Sequence, residues 1–167
     1  MKKILAFSIM LIAFSAGAFA QSTDTEQTQA SAVIVGPLAL TKLSDMNFGT
    51  IAVTGTAGTV TLGTDNSRNA VGPALVPPAA GVAASFTVAG EANRAFVITL
   101  PADGTVSLIS GANSMAANIF VHSAGATPTL SGAGAAAFTV GATLSVAANQ
   151  AAGSYTSANF PVTVSYN

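Results

Sequence analysis

The sequence predicts an all-β protein, with antiparallel strands arranged as a sandwich or a barrel. Apolar and polar residues alternate over many short runs, a period typical of strands that bury one face. Clusters of Gly, Asn, Asp, Ser and Pro separate these runs, as turns require. After residue 20, no run has the 3.6-residue apolar stripe that predicts a helix. These observations favour roughly eight to ten short strands in one domain.

Residues 1–20 are predicted to be a cleaved signal peptide. Lys2 and Lys3 precede an apolar stretch that is too short to span a bilayer. Ala18 and Ala20 then form an Ala-x-Ala cleavage signature. A retained membrane anchor is the alternative, which the length and the flanking residues disfavour. The mature chain is therefore expected in the periplasm or beyond, with no membrane insertion after cleavage.

The mature chain is expected to begin with a polar, flexible segment, residues 21–31, followed by a domain at residues 32–167. Alternating apolar positions then predict the strands, in chain order: Met46/Phe48, Ile51/Val53, Val60/Leu62, Phe86/Val88, Phe96/Ile98/Leu100, Met115/Ala117/Ile119/Val121, Phe138/Val140, Leu144/Val146 and Phe160/Val162/Val164/Tyr166. Turn chemistry is found at residues 63–69, 90–93, 101–104 and 110–114.

Composition excludes several classes of function. The whole chain has 5 Lys or Arg, 6 Asp or Glu and one His, and it has no Cys. So few basic residues give no electrostatic footprint for nucleic acid. The lack of Cys excludes disulfides, thiolate nucleophiles and Cys-ligated zinc. A single His excludes a multi-His metal site, so we expect neither a metal nor another cofactor.

Nothing in the sequence predicts an enzyme, and no catalytic residue is assigned. His122 is predicted to lie on the outward face of its strand, opposite Ile119 and Val121, and no nucleophile-elbow motif accompanies it. The acidic residues stand singly at turns or strand ends, which gives no carboxylate pair. Arg68 and Arg94 are interpreted as solubility residues on turns. The Asp65 segment superficially resembles a calcium loop, but a hairpin turn fits its spacing better.

The last predicted strand has an inward set of Phe160, Val162, Val164 and Tyr166. Pro161 lacks an N–H for the ladder, which suits the start or the edge of a sheet. A strand at the end of a chain is open to pairing with a second molecule unless other chain covers it. The alternative is an ordinary last strand of a closed sandwich.

Two resemblances follow from these residues. Penultimate Tyr166, with Gly153 upstream, resembles the C-terminal pattern of chaperone–usher pilus subunits. Four segments resemble the domain-of-unknown-function family 4402, secreted bacterial β-sandwich proteins similar to Mat/Ecp-type and spore-coat-U-like fimbrial subunits. They are residues 37–40 (PLAL), 46–51 (MNFGTI), 140–144 (VGATL) and 150–155 (QAAGSY). The resemblance covers about residues 32–167.

The resemblance implies an immunoglobulin-like sandwich and a structural role as a fimbrial or pilus subunit in cell adhesion. In chaperone–usher subunits the C-terminal strand pairs with a periplasmic chaperone by β-augmentation. The implied partners are therefore copies of the chain itself, a periplasmic chaperone and an outer-membrane usher. The implied C-terminal assembly strand contains Gly153, Phe160, Val162, Val164 and Tyr166. The implied destination is the cell surface, a fimbrium or the medium.

Only one segment of the sequence could serve as a donated strand. Residues 21–31 are too polar to fill an apolar groove, so only Ala32-Val33-Ile34-Val35 could serve, through Val33 and Val35 or through Ala32 and Ile34. The same residues could instead form the domain's own first strand. Two functions therefore remain open: a structural subunit assembled by strand donation, and a self-complete, monomeric secreted or cell-surface binding module for an unknown ligand.

Overall fold

The computed structural model describes residues 23–167, so the predicted signal peptide, with Ala18 and Ala20, lies outside the described residues. Residues 23–34 contain neither helix nor strand. Val35–Asn167 form one compact unit. No residue from 23 to 167 is helical, and every strand pairing is antiparallel, which confirms the all-β prediction.

Twelve strands build the domain. They are β1 (Ala39–Ser44), β2 (Ile51–Ala52), β3 (Gly58–Leu62), β4 (Arg68–Val71), β5 (Ala74–Leu75), β6 (Ala84–Ala89), β7 (Phe96–Thr99), β8 (Val106–Ser110), β9 (Asn113–His122), β10 (Ala135–Val146), β11 (Thr156–Ser157) and β12 (Thr163–Tyr166). The number exceeds the predicted eight to ten in part because β5 and β11 have only 2 residues each, too few for an alternation to be recognised.

Strand β10 is the centre of an 8-stranded sheet. On one edge, its residues 135–140 pair with β6 and its residues 142–146 pair with β3. On the other edge it pairs with β9, followed by β8 and β11. Strand β1 pairs with β6 and β4 pairs with β3. This main sheet forms one layer of the sandwich.

Two short pairs, β7–β12 and β2–β5, stand apart from the main sheet. Two apolar clusters fill the core. The first contains Val60, Leu62, Val106, Met115, Ala117, Ala142, Leu144, Val146 and Phe48. The second contains Ala84, Phe86, Val88, Phe96, Leu130, Phe138 and Val140, with Val162, Val164 and Tyr166 packed against it. The predicted alternation therefore identified most of the buried positions.

The alternation predicted for β9 is wrong beyond Ala117. Ile119 has a positive φ of 51°, and the pairing with β10 shifts register opposite residues 141–143. This bulge reverses the faces of the strand, so Ile119 and Val121 are exposed and His122 is half-buried. The His122 ring meets the ring of Phe138 edge-on at 6.4 Å. No local pattern in the sequence marks an extra residue in this strand.

The four predicted turns are confirmed, and the first has a defined hydrogen-bond network. At the β3–β4 turn, the Asp65 carboxylate accepts hydrogen bonds from the Ser67 hydroxyl at 2.5 Å and from the Ser67 backbone N–H at 3.0 Å. These bonds, the hydroxyl first, hold the pKa of Asp65 below its usual 3.8. The Asp65 segment is therefore a hairpin turn, as its spacing favoured.

This turn provides a pH-dependent prediction. Because the folded pKa of Asp65 is lowered, the turn contributes stability above pH 3.8 that is lost as the pH falls through the folded pKa. We expect Ser67→Ala to raise the pKa of Asp65 towards 3.8, as measured by ¹³C NMR titration of the carboxyl carbon. Ser114→Ala, near the start of β9, should leave that pKa unchanged. An unchanged pKa in Ser67→Ala would contradict the assignment.

Candidate functional site

A large open groove lies against the apolar face of the main sheet. Its volume is about 1300 Å³, and two nearly continuous chain segments, residues 45–53 and 150–162, line it. Each segment contains only one strand of two residues, β2 and β11 respectively. We call these segments wall 1 (residues 45–53) and wall 2 (residues 150–162).

The floor of the groove is apolar and belongs to the main sheet. It is lined by side chains of β8, β9 and β10: Val106, Leu108, Met115, Ala117, Phe120, Leu144 and Val146. Most of these residues are also members of the first core cluster or pack against it. The core of the domain is thus continuous with the lining of the groove, which makes the groove a gap in the sandwich layer.

Wall 1 is held by polar contacts around a glycine. Asn47 exchanges two backbone hydrogen bonds of 2.8 Å with Val82, and its side-chain oxygen accepts the N–H of Gly49 at 2.7 Å. Gly49 has a φ of 71°, a left-handed conformation that glycine adopts without a steric penalty. The Arg68 guanidinium donates to the Phe48 carbonyl at 2.8 Å and also to Thr50 and Ala79 carbonyls.

The structure therefore corrects the interpretation of Arg68 as a solubility residue on a turn. It is the first residue of β4 and is half-buried. Its planar guanidinium satisfies backbone carbonyls from two separate stretches of chain, which a single sequence cannot reveal. Arg94, in contrast, is exposed, in agreement with its interpretation.

Wall 2 is held by Gln150 and Tyr155. The Tyr155 hydroxyl donates to the Ala151 carbonyl at 2.7 Å and accepts from the Gln150 side-chain nitrogen at 2.9 Å. The same nitrogen reaches the carbonyl of Ser114 in β9 at 3.3 Å. Wall 2 is thereby attached to the main sheet at one end.

The chemistry of the groove suits an apolar, extended occupant. Lys42 and Asp45 are the only charged residues of its lining within the described part of the chain, and they form an exposed ion pair of 2.5 Å. Within residues 23–167, no three potential metal-ligating side chains come together. In the same range, no helix has the length and apolarity needed to cross a membrane. The floor of the groove offers packing of apolar side chains, and its walls add uncharged polar side chains such as Asn47 and Asn159.

The structure divides the predicted C-terminal assembly residues between two places. Gly153, Phe160 and Val162 line the groove. Val164 and Tyr166 belong to β12, where they pair with Ile98 and Phe96 of β7. All four apolar members of the set are half-buried and alternate with exposed residues, as the sequence predicted.

The residues of the candidate donor strand lie outside every strand. Val33 and Ile34 are 81% and 95% exposed, and Val35 is 38% exposed. The first strand of the domain is β1, which begins at Ala39. We refer to residues 23–35 as the N-terminal arm.

The fold and the groove define this chain as an antiparallel β-sandwich protein with an open apolar groove in one layer. The family profile of a domain of unknown function, DUF4402, matches residues 38–166. The chain belongs to this family. The comparison with curated proteins gives no match, and neither does the comparison with solved structures. Two of the segments that suggested this family, residues 46–51 and 150–155, lie within the two walls.

Proposed function

We propose that this protein is a structural subunit of a fimbrial or pilus-like polymer, in which the groove of one copy accepts an extended strand from another. The observation that supports the proposal is the open groove of about 1300 Å³, whose floor is part of the hydrophobic core. Five of its seven floor residues are already buried within the domain, whereas Leu108 and Phe120 are half-buried. A strand that fills the gap would cover the part of these two side chains that is still exposed.

An extended peptide fits the groove better than a compact ligand does. The two walls run along the apolar floor, and most of their residues belong to no strand. In β-augmentation, backbone hydrogen bonds supply affinity, and pockets for alternate side chains supply the register. The alternation of Val33 and Val35, or of Ala32 and Ile34, provides the matching side chains.

The proposed occupant is the N-terminal arm of a second copy. The arm is free of secondary structure, and its apolar residues Val33 and Ile34 are exposed. Donation from one copy to the next joins two different surfaces, so repetition produces an open filament. Before a donor arrives, the groove needs protection during export. A periplasmic chaperone and an outer-membrane usher are therefore the proposed assembly partners, and the cell surface is the proposed destination.

Deletion of residues 21–35 from the exported chain tests the proposal. We expect it to abolish filaments seen by electron microscopy of expressing cells and to leave an aggregation-prone domain, because its groove stays unfilled. A matched pair of double variants tests which face of the arm enters the groove. Val33→Ser with Val35→Ser changes one face of the arm, and Ala32→Ser with Ile34→Ser changes the other.

Because alternate residues of a strand face opposite sides, only one of these two pairs should strongly reduce assembly. Sedimentation of exported polymer would measure the reduction. Normal filaments in both double variants would contradict insertion of these residues. A deletion variant that remains folded, monomeric and equally stable would instead favour the alternative function, a self-complete binding module.

A further inference from the structure

We propose that the groove contains a subsite for one large aliphatic side chain, at the point where the two apolar clusters of the core meet. A residue from the N-terminal arm of a second copy fills this subsite and joins the two clusters into one core. The inference rests on the proposed function and adds to it the position at which the donated strand is recognised.

The core of this domain is divided, whereas a domain usually has one contiguous core. Among the half-buried residues of the described chain, Met46 and Phe120 alone pack against both apolar clusters. Both of these residues also line the groove. The groove is lined by members of both clusters, among them Phe86 of the second and Leu144 of the first. The boundary between the clusters is therefore open to the groove.

The pairing of β10 locates this boundary on the main sheet. Val140 belongs to the second cluster, and Ala142, the next inward residue, belongs to the first. Val140 pairs with Ala84 of β6, and Ala84 lines the groove. The inward positions on either side carry Phe86 and Leu144, so the two alanines are the smallest side chains along this line. The sheet therefore leaves room for an added side chain at the boundary.

The other sides of the subsite are apolar. The Phe120 ring lies 5.5 Å from the ring of Phe160 in wall 2, tilted by 55°. Val162, also in wall 2, packs against the second cluster and lines the groove. Met46 has an unbranched thioether side chain, which adapts its shape to a neighbour. These four side chains offer dispersion contacts and no charge, so the subsite suits an aliphatic group.

The N-terminal arm has the matching chemistry. Its residues 27–35 carry no charge, in agreement with the uncharged subsite, and they end in Val33, Ile34 and Val35. β-Branched residues are enriched in extended strands and have the aliphatic character that the subsite requires. Because alternate residues face opposite sides, either Ile34 or one of the two valines enters the subsite. A second copy of this chain is therefore a sufficient source of the occupant.

Ala84→Leu tests the subsite by filling it from the floor. The added atoms extend into open volume, so we expect the unassembled fraction to keep or raise its melting temperature. Sedimented polymer from expressing cells should fall at least about tenfold, because the arm now meets an overpacked site. Ala142→Leu is the control, since Ala142 is also buried but does not line the groove. It should lower the melting temperature.

Two results for Ala84→Leu would overturn the subsite. A fall in melting temperature as large as that of Ala142→Leu would show that no open volume adjoins Ala84. A folded Ala84→Leu chain that forms as much polymer as the native chain would show that no arm residue occupies this position.

A second substitution in the same chain identifies the residue that enters. Val33→Ala, Ile34→Ala and Val35→Ala are each combined with Ala84→Leu, so that the arm loses volume where the floor gains it. We expect one of these combinations to raise sedimented polymer about tenfold over Ala84→Leu alone. The same arm substitution beside native Ala84 should lower the amount of polymer. A purely structural effect of Ala84→Leu would not produce this change of sign. No recovery in any folded combination would overturn the inference.

The subsite and the proposed function fail in different ways. If native chains form polymer that requires residues 21–35 while folded Ala84→Leu forms it equally well, strand donation stands and the subsite is wrong. If native chains export no polymer, the proposed function fails and the subsite fails with it.

Discussion

Gly141→Ala is expected to lower the free energy of unfolding by about 3 kcal/mol. Gly141 is buried at the point where β10 changes partner from β6 to β3. A Cβ at this position would fall on the carbonyl oxygen of Leu62, well inside contact distance, and would lie 3.0 Å from the carbonyl carbon of Gly63. Backbone atoms of an adjacent strand cannot move aside without disrupting its ladder.

The matched control is Gly55→Ala. No atom lies within 4 Å of a Cβ built at Gly55, and its φ is not in the left-handed region. This substitution should be neutral or stabilise the domain by less than about 1 kcal/mol. Urea denaturation of both variants measures the difference. Equal stabilities for the two variants would contradict the close approach of β3 to β10.

The second large effect is expected for Arg68→Ala. Removal of the guanidinium leaves the carbonyls of Phe48, Thr50 and Ala79 without their donor. Hydrogen bonds to a charged group contribute about 1.5–3 kcal/mol each when they are shielded. Because Arg68 is only half-buried, water compensates for part of the loss. We therefore expect the free energy of unfolding to fall by about 2 kcal/mol, as measured by urea denaturation. We also expect the amides of wall 1 to exchange faster.

Two controls accompany this prediction. Arg68→Lys keeps the charge but lacks the planar fork, so it should recover only part of the stability. Arg94→Ala removes an exposed arginine and should change stability by less than about 0.5 kcal/mol. Hydrogen exchange of the amides of residues 47–50 would report on the wall directly. Protection in Arg68→Ala equal to that of the native chain would argue against its role in wall 1.

The sequence predicted those parts of the fold that depend on local pattern. Val60 and Leu62, and likewise Phe138 and Val140, face the core because a period of two describes a regular strand. The predicted alternation fails at Ile119 because a bulge arises from the pairing between two strands, which the residues of one strand do not show. The two-residue strands β5 and β11 show no alternation and were likewise not predicted.

The groove could be predicted only in part. The alternation predicts that Phe160 and Val162 face inward, and both line the groove. Wall 1 was seen only as a pair of short apolar runs, because its shape depends on Arg68, which is distant in sequence. The hydrogen bond that the Tyr166 hydroxyl donates to the Gly36 carbonyl spans 130 positions and leaves no local signal.

The position of β10 has a consequence for cooperativity. Phe138 and Val140, in its first half, belong to one core cluster, while Ala142 and Leu144, in its second half, belong to the other. Loss of either cluster would leave half of the same strand without its packing. We therefore expect the two clusters to unfold together, because each depends on the other half of the same strand.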